Sequence, residues 1–249
     1  MIRVLVATAI GLGIFAAVPA FADAAPARPL HLSNAWQVSL DANGKVVALQ
    51  DSGKLDAGVR VPLEHAIREW TFEPGRIDGQ PAPTQTTLTL DVTFVPKGHD
   101  DYRVRIDDAR TGGSIDIAKS KAVPRFPPDA ARPGLIARVV VKVEYDASGN
   151  ITEVQTQPDQ GVNASQSMRT SALAAVRKWK VEPERVGGHG VAASVLVPIC
   201  YTVVQDPMQS NKFDCAWTPP GSQSKVDNGS AYALAPAAKL KSDVIGHAL

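Results

Sequence analysis

The residue types that most often carry out chemistry lie scattered along this sequence. None of the five histidines has a cysteine or a second histidine at the spacing of a metal site. The densest group of ligand types is His99-Asp100-Asp101, and a solvated acidic loop explains it without a metal. We therefore predict no metal site and no cofactor. The histidines are His31, His65, His99, His189 and His247.

Three further motifs have the residue types of catalytic or phosphate-binding sites without their context. Ser222-Gln-Ser-Lys225 matches a Ser-x-x-Lys pattern, yet it lies in a segment of low complexity without companion motifs. Gly187-Gly-His-Gly190 follows a predicted helix and lacks the Lys-Ser/Thr of a phosphate loop, so turn glycines explain it better. Asp107-Asp108 lies in a polar stretch, where a charged and solvated loop is the simplest interpretation. The sequence therefore predicts that the protein is not an enzyme.

Composition limits the class of protein and of partner. The chain has 249 residues, of which 44% are hydrophobic and 20% charged, as in an ordinary globular protein. Its formal net charge is +1, so it has no excess of basic residues for a nucleic acid or an anionic membrane. Aromatic residues make up 6%, which suits small cores better than one large core. We expect protein partners and no nucleic acid.

The first 22 residues have the pattern of a secretory signal. A short basic start, Met1-Ile2-Arg3, precedes an apolar run at residues 4–20. Ala20-Phe21-Ala22 then matches the small-x-small pattern that a signal peptidase cleaves, which would leave Asp23 as the first mature residue. We expect a cleaved signal peptide at 1–22, and an uncleaved membrane anchor is the alternative.

The two cysteines are Cys200 and Cys215. In an oxidising compartment an isolated pair most simply forms one disulfide, and the loop that it closes here would contribute about 3 kcal/mol in the chain-entropy model. Two free thiols remain the alternative. The pair lacks the Cys-x-x-Cys spacing that is typical of redox catalysis.

Two sequence motifs occur twice along the chain, and the one that contains tryptophan is called the Trp phrase here. EWTFEPGRIDG at 69–79 and KWKVEPERVGG at 178–188 share Trp-x-(Phe/Val)-Glu-Pro-x-Arg-(Ile/Val)-x-Gly. Upstream of each, VSLDANGKVVAL at 38–49 corresponds to VEYDASGNITEV at 143–154. Asp-Ala-x-Gly between two alternating apolar runs predicts a β-hairpin in both halves. The repetition indicates two copies of one structural unit.

Periodicity predicts the remaining elements of each copy. Met168, Ala172, Ala175 and Trp179 recur at helical spacing, with Asn163 or Ser165 as the N-cap, and Leu63, Ile67 and Trp70 form the corresponding stripe after Pro62 at a first helical position. Glu-Pro then ends each helix. An alternating strand follows, with Leu88 to Phe94 in the first copy and Val195 to Tyr201 in the second. Each copy therefore reads β-turn-β-α-β, and both tryptophans are predicted to lie in a core.

The second copy resembles the C-terminal domain of the TonB family, the periplasmic part of an energy transducer in Gram-negative bacteria. The family's Tyr-Pro-Pro-x-Ala lead-in is represented by Phe126-Pro-Pro-Asp-Ala130, with Gly134 before the first strand. The Asp-x-x-Gly turn, the helix ending in a Trp phrase, Glu-Pro and the Pro-interrupted last strand Val197-Pro198-Ile199 then follow in the family's order. The resemblance covers 124–201 well and 36–94 less well.

This resemblance and the repeat together imply an α+β fold of two tandem TonB-C-terminal-like units. Each is expected to be a small three-stranded antiparallel sheet packed against one long helix, and the first copy is divergent. The expected divisions are a signal peptide at 1–22, the divergent domain at 23–96, a linker at 97–123, the second domain at 124–217 and a disordered tail of low complexity at 218–249. Within the linker, residues 102–106 and 114–117 are compatible with an extra hairpin.

The resemblance also implies where a partner binds. A three-stranded sheet leaves two edge strands, and proline within the last strand of the second copy favours an edge because proline cannot donate to the ladder. In the family, the N-terminal box of an outer-membrane receptor adds there as a strand. A disulfide to Cys215 would bring the tail close to this strand and would occlude the edge. The candidate partner-binding residues are Val195, Leu196, Val197, Pro198, Ile199 and Tyr201.

These features predict a non-enzymatic periplasmic protein, monomer or homodimer, that binds outer-membrane receptors or other envelope partners by strand addition. A role in TonB-dependent transport follows from the resemblance. The alternative is a structural or assembly protein whose sheet edges pair with each other or in a dimer, without a receptor.

Overall fold

The computed structural model describes residues 29–53, 55–98, 101–115, 117–120, 122–130, 132, 134–203, 215–223 and 225–248. The predicted signal peptide at 1–22 and the His99-Asp100 pair lie outside these ranges. The described residues form an α+β fold with antiparallel sheets, as the sequence predicts. None of the helices in these ranges is long and apolar enough to cross a membrane.

Strands outnumber helices among the described elements. The helices are α1 (Ala57–Glu69), α2 (Ile117–Ser120) and α3 (Gln166–Val176), with short 3-10 turns at Pro128–Ala130 and Pro158–Gln160. The strands are β1 (Leu30–Leu40), β2 (Val46–Asp51), β3 (Phe72–Glu73), β4 (Arg76–Ile77), β5 (Gln80–Pro81), β6 (Thr84–Gly98), β7 (Asp101–Gly112), β8 (Ser114–Ile115), β9 (Ile136–Tyr145), β10 (Ile151–Thr156), β11 (Val181–Glu182), β12 (Arg185–Val186), β13 (His189–Gly190), β14 (Ala193–Thr202), β15 (Tyr232–Ala233) and β16 (Lys239–Leu240).

The first sheet is built around β6. Strand β1 pairs with one side of β6, and β2 pairs with β1. The other side of β6 pairs with β7 along most of its length and with β12, followed by β13, at its start. Alternate residues of β1 and β6 point to one face and meet helix α1 in a closed core around Trp36, Leu63, Ile67 and Leu90. Strands β2, β1 and β6 are neighbours in this sheet, but it has six strands in place of the three that were expected.

Helix α1 begins earlier than predicted. Asp56 is its N-cap and accepts a hydrogen bond from the amide of Gly58, so Pro62 lies inside the helix and not at its first position. Leu63 and Ile67 face the core as the periodicity predicts, and Trp70 is buried just after the helix. The aspartate cap outcompetes proline as the start signal because its side chain satisfies an amide that the first turn leaves without a partner.

The second sheet has four strands in the order β10-β9-β14-β15. Helix α3 covers one face, and Ser165 caps it by accepting from the amide of Met168. Met168, Ala172 and Trp179 pack there against alternate residues of β9 and β14. The sheet therefore has four strands in place of the expected three, and the fourth, β15, comes from residues that were predicted to be disordered.

The two hairpin turns have matching hydrogen bonds. The Asp41 carboxylate accepts from the amides of Asn43 and Lys45, and the Asp146 carboxylate accepts from those of Ser148 and Asn150. These bonds, chiefly the one from the Lys45 amide at Asp41 and those from Asn150 at Asp146, lower the pKa of both carboxyl groups. The two turns are therefore held in the same way.

A glycine in each turn approaches the short strand within a Trp phrase, β3 or β11. Gly44 and Gly149 have φ of +79° and +78°, and a Cβ at these positions would lie 1.8 Å from the Phe72 carbonyl oxygen and 1.9 Å from that of Val181. The amides of Phe72 and Val181 donate to the carbonyl groups of the same glycines. Glycine is needed at both positions for its conformation and for this close approach.

The segment between the two sheets does not form the hairpin that the sequence suggested. Residues 102–106 belong to β7, which pairs with β6. Ser114 and Ile115 pair instead with β11, which follows α3 in the chain. The pairing with β6 is favoured because Ile106 enters the first core and is almost fully buried. Much of the predicted linker at 97–123 thus belongs to the first sheet through β7, and β8 forms a separate two-stranded sheet with β11.

The name tail is used from here on for the described residues 215–223 and 225–248, which are ordered, whereas residues 218–249 were predicted to be disordered. The tail adds β15 to the second sheet, pairs β16 with β3, and bonds to Ile106 of β7 through residues 246–247. Val226 and Ala238 have no exposed surface, and Val244 is buried in the first core. Small residues fill these narrow spaces without a periodic pattern, which is why composition alone suggested disorder.

Candidate partner-binding edge

The predicted partner-binding residues all lie on β14. Side chains of Val195, Val197, Ile199 and Tyr201 point into the second core. Leu196, Pro198 and Cys200 alternate with them and lie on the opposite face. On one side β14 pairs with β9 over its whole length, so only its other side is available for an additional strand.

That other side of β14 is occupied by the tail. The Leu234 amide donates to the Ser194 carbonyl, and Leu196 pairs with Tyr232 in the same antiparallel register. The Gly229 amide donates to the Pro198 carbonyl at 2.8 Å. At the end of this row the Cys200 amide donates to the Asn228 side-chain oxygen at 2.9 Å. The chain thus covers with its own tail the edge at which a partner strand is predicted to bind.

Pro198 is placed where its missing amide hydrogen has little cost. Its carbonyl accepts a hydrogen bond from the Gly229 amide on the side of the tail. The pairing with the tail at this position does not depend on a backbone N–H donor from residue 198. Proline is thereby tolerated in a strand with a neighbour on each side. The proline that was interpreted as a sign of an edge marks the side on which the tail docks.

Cys200 and Cys215 are joined by a disulfide with a Cα–Cα distance of 5.9 Å. The bond ties the end of β14 to the start of the tail, and residues 204–214 between them lie outside the described ranges. Beyond Cys215, the Arg138 side chain donates to the Ala216 carbonyl, and Trp217 pairs with Val226. The disulfide therefore anchors the tail against the second sheet.

A third apolar cluster covers the face of the second sheet opposite α3. Trp217 and Val226 of the tail pack on Val140 and Leu196, and Tyr232 contacts this cluster. The Trp217 and Tyr232 rings meet edge to face at a centroid distance of 6.3 Å. The tail therefore buries the part of this face around Val140 and Leu196.

Glu184 is a buried acidic residue at the junction of the two sheets and the tail. It is 3% exposed and accepts hydrogen bonds from the Thr86 hydroxyl at 2.7 Å, the Ala237 amide at 2.6 Å and the Ala238 amide at 3.2 Å. Sequence reasoning missed it. The available signal was a difference between the repeated phrases, because Glu184 stands where the first phrase has Gly75.

Gly75 allows the two Trp phrases to touch. A Cβ on Gly75 would lie 2.4 Å from a methyl group of Val186, and the Gly187 amide donates to the Pro83 carbonyl at 2.8 Å. Next to this contact β12 pairs with the start of β6. The missing side chain of Gly75 in the first Trp phrase therefore leaves space that Val186 of the second Trp phrase occupies.

The Tyr145 hydroxyl lies near the same junction. A Cβ on Gly113 would come within 2.4 Å of the hydroxyl oxygen, so glycine leaves room for it. Burial, and to a lesser extent the charge of Glu184, raises the pKa of Tyr145 to about 12. Burial also raises the pKa of Tyr201. Both phenols are thus neutral through the physiological range of pH.

Of the residues considered for catalysis, His31, Asp107 and Asp108 lie on the first sheet, in β1 and β7. His31 contacts Thr93, which also donates to Asp107, but Thr93 is 2% exposed and cannot reach a substrate as a nucleophile. Asp107 and Asp108 pair with Arg105 and Arg110 on β7. Within the described ranges, no three His, Cys, Asp or Glu side chains are grouped so as to hold a metal ion.

The loop glycines of the second Trp phrase act as turn residues. Gly187 and Gly188 have φ of +59° and +85° and connect β12 to β13. The Arg185 side chain closes the turn by donating to the Gly188 carbonyl, as Arg76 does to Gly79 in the first Trp phrase. The geometry is that of a tight hairpin.

Comparison with known proteins identifies one part of the chain. A family model described as "Gram-negative bacterial TonB protein C-terminal" matches residues 122–203. The chain is 33% identical over 93 residues to Protein TonB of Xanthomonas campestris pv. campestris, an alignment that covers 37% of this chain and 40% of that protein. It is 30% identical over 83 residues to Protein TonB of Vibrio cholerae serotype O1, which covers 33% of each chain. No solved structure gives a significant match.

The chain spans about two fifths of the length of the Xanthomonas relatives that it matches. The matched region contains β9, β10, α3 and β14 together with the Pro-Pro lead-in. Residues 122–203, which hold helix α3 and three of the four strands of the second sheet, are therefore a region of TonB C-terminal type.

Proposed function

We propose that this protein is a non-enzymatic TonB-like binding module of the Gram-negative periplasm. It engages an outer-membrane receptor or another envelope protein through an extended segment that adds to β14, at Val195, Leu196, Val197, Pro198, Ile199 and Tyr201. The match of residues 122–203 to the TonB C-terminal model carries the proposal. The antiparallel pairing of β15 with Val195 and Leu196 supports it, because that edge has the geometry to hold a strand.

The first sheet is proposed to be a divergent copy of the same unit. Support comes from the matching turns at Asp41 and Asp146, the matching close approaches of Gly44 and Gly149, and the shared Trp phrase. On this proposal the copies occupy 23–96 and 124–217, a cleaved signal precedes them, and the protein acts in TonB-dependent transport.

Direct binding tests the proposal. Peptides of receptor N-terminal segments are titrated by calorimetry into the oxidised protein and into the Cys200→Ser/Cys215→Ser variant. We expect binding in the micromolar range, stronger for the variant because the tail is less constrained. The control is the same peptide with proline at alternate positions, which cannot form ladder hydrogen bonds. Absence of binding by both forms of the protein would contradict the proposal.

A second candidate is a structural or assembly protein without a receptor. It is favoured by the internal pairing of the sheet edges: β15 covers β14, while β7 and β12 cover one side of β6. Sedimentation velocity separates the two candidates. An obligate dimer that binds no receptor peptide would support the assembly protein, and a monomer that binds one would exclude it.

A further inference from the structure

The tail segment on β14 is bound as a ligand strand would be. Between Ser194 and Cys200, each alternate residue of β14 that faces this side has a partner in residues 228–234. The partners are backbone groups of Leu234, Tyr232 and Gly229 and the side chain of Asn228. A partner strand at this edge must therefore exchange with the tail, because both require the same donors and acceptors.

The tail also shows which side chains the edge accepts. Ala231 and Ala233 pack against the second core, and Tyr232 between them points to the opposite face. There the Tyr232 ring meets Trp217 edge to face. The pattern is small, aromatic, small, and it follows from the alternation of side chains along a strand.

The space at Ala233 is limited by a glycine of the first sheet. A Cβ on Gly112 would lie 2.5 Å from the Ala233 Cβ, so the two strands approach each other because one residue has no side chain and the other only a methyl group. A larger side chain at this position of a bound strand would collide with the β7 backbone.

We infer that residues 228–234 are a built-in competitor at the partner-binding edge, and that the partner is an extended peptide segment with a small-aromatic-small sequence that pairs antiparallel with Val195 and Leu196. This inference rests on the proposed function for the existence of a partner, but it concerns the chemistry of that partner and the displacement of the tail. The tail is tethered, so its local concentration is high and the apparent affinity of a free peptide is reduced by the small fraction of molecules with an open edge.

The experiment uses the full-length oxidised protein and a fluorescein-labelled peptide with the sequence of residues 227–235, DNGSAYALA. Anisotropy measures its affinity for the wild type and for the Tyr232→Ala variant, which loses the contact with Trp217. We expect about tenfold tighter binding by the variant, because its own tail competes less well. A peptide carrying Ala233→Phe should lose at least about tenfold in affinity, since its ring would meet β7.

Tyr102→Ala is the matched control, because Tyr102 is an exposed tyrosine on β7 away from this edge. It should bind the peptide as the wild type does. Asn228→Ala is a second test that leaves the apolar cluster intact and removes only the acceptor of the Cys200 amide. Hydrogen exchange at the Leu196 and Cys200 amides should accelerate in the Tyr232→Ala protein, and at Cys200 in the Asn228→Ala protein.

The outcomes separate this inference from the proposed function. If the opened variants bind the tail peptide but no receptor peptide, the edge accepts strands of this chemistry and the receptor proposal fails. If the amides exchange faster and the tail peptide still does not bind, or if all variants bind it equally, the inference is overturned. Equal binding of the Ala233→Phe peptide would refute the predicted requirement for a small residue.

Discussion

Replacing Glu184 by alanine should destabilise the protein by about 4 kcal/mol. The carboxylate is almost fully buried and accepts from three donors, two tail amides and the Thr86 hydroxyl. Leaving a buried donor without a partner costs about 1–3 kcal/mol, and local relaxation recovers part of the sum. Since a domain of this size is stable by only about 5–15 kcal/mol, the loss would be a large fraction of the free energy of unfolding.

Urea denaturation followed by tryptophan fluorescence and circular dichroism measures this change. Glu182→Ala is the matched control, because Glu182 is an exposed glutamate in the same phrase, and it should change the free energy of unfolding by less than about 0.5 kcal/mol. Glu184→Gln keeps one acceptor but places amide hydrogens near a tail amide, so it should cost about 2 kcal/mol. Hydrogen exchange at Ala237 and Ala238 should accelerate in both Glu184 variants.

A double-mutant cycle with Thr86→Val tests whether Glu184 acts through the hydrogen bond that it accepts from Thr86 of β6. The coupling free energy should be at least about 1 kcal/mol, because the two side chains contact each other directly. Equal midpoints for Glu184→Ala and Glu182→Ala, or a coupling near zero, would refute the role of Glu184 as the junction of both sheets and the tail.

Three further predictions follow from single groups. The pKa of Tyr145 is raised from 10.0 to about 12, so the folded state holds the phenol proton more tightly than the unfolded state does. The free energy of unfolding should therefore fall by about 2 kcal/mol between pH 10 and 12. Tyr145→Phe should remove this fall from a plot of the free energy of unfolding against pH. Gly149→Ala should lower the melting temperature by about 10 °C, because its Cβ would collide with a carbonyl oxygen. Gly188 also has a positive φ but no atom within 4 Å of such a Cβ, so Gly188→Ala should lower the free energy of unfolding by only about 1 kcal/mol. Equal losses of stability in the two variants would contradict this reasoning. Removing the Cys200–Cys215 bond by serine substitution should lower the free energy of unfolding by about 3 kcal/mol in urea titrations, and an unchanged midpoint would show that the tail is held without it.

Local patterns predicted much of each sheet. The Asp-Ala-x-Gly turns, the N-cap at Ser165, the helical stripes and the burial of Trp70 and Trp179 all follow from neighbouring residues. Such signals are strong because the same few residues both carry the pattern and adopt the structure. The resemblance of residues 124–201 to the TonB C-terminal domain likewise rests on motifs that lie close together along the chain.

The remaining features depend on contacts between distant residues. The pairing of β8 with β11, the docking of β15 on β14 and the contacts of Glu184 join segments that have no mutual sequence signal. The tail illustrates the limit most clearly, since Ala238 is fully buried and Ala233 fits against Gly112 while both belong to an Ala-rich, Pro-rich stretch. Small residues can fill such a space or remain solvated, and only the assembled neighbours decide between the two.

The entry of the tail into the first core has a consequence for the order of folding. Trp36 and Leu40 share that core with Ala238 and Val244, so a chain that emerges from its N-terminus cannot close the first core until residue 244 has followed. Until then β6 and β7 expose apolar side chains and unpaired edges, the features that favour misassembly. We therefore expect the fold to be completed late, with residues 237–248 as the closing step, and chains truncated before residue 237 to be prone to aggregation.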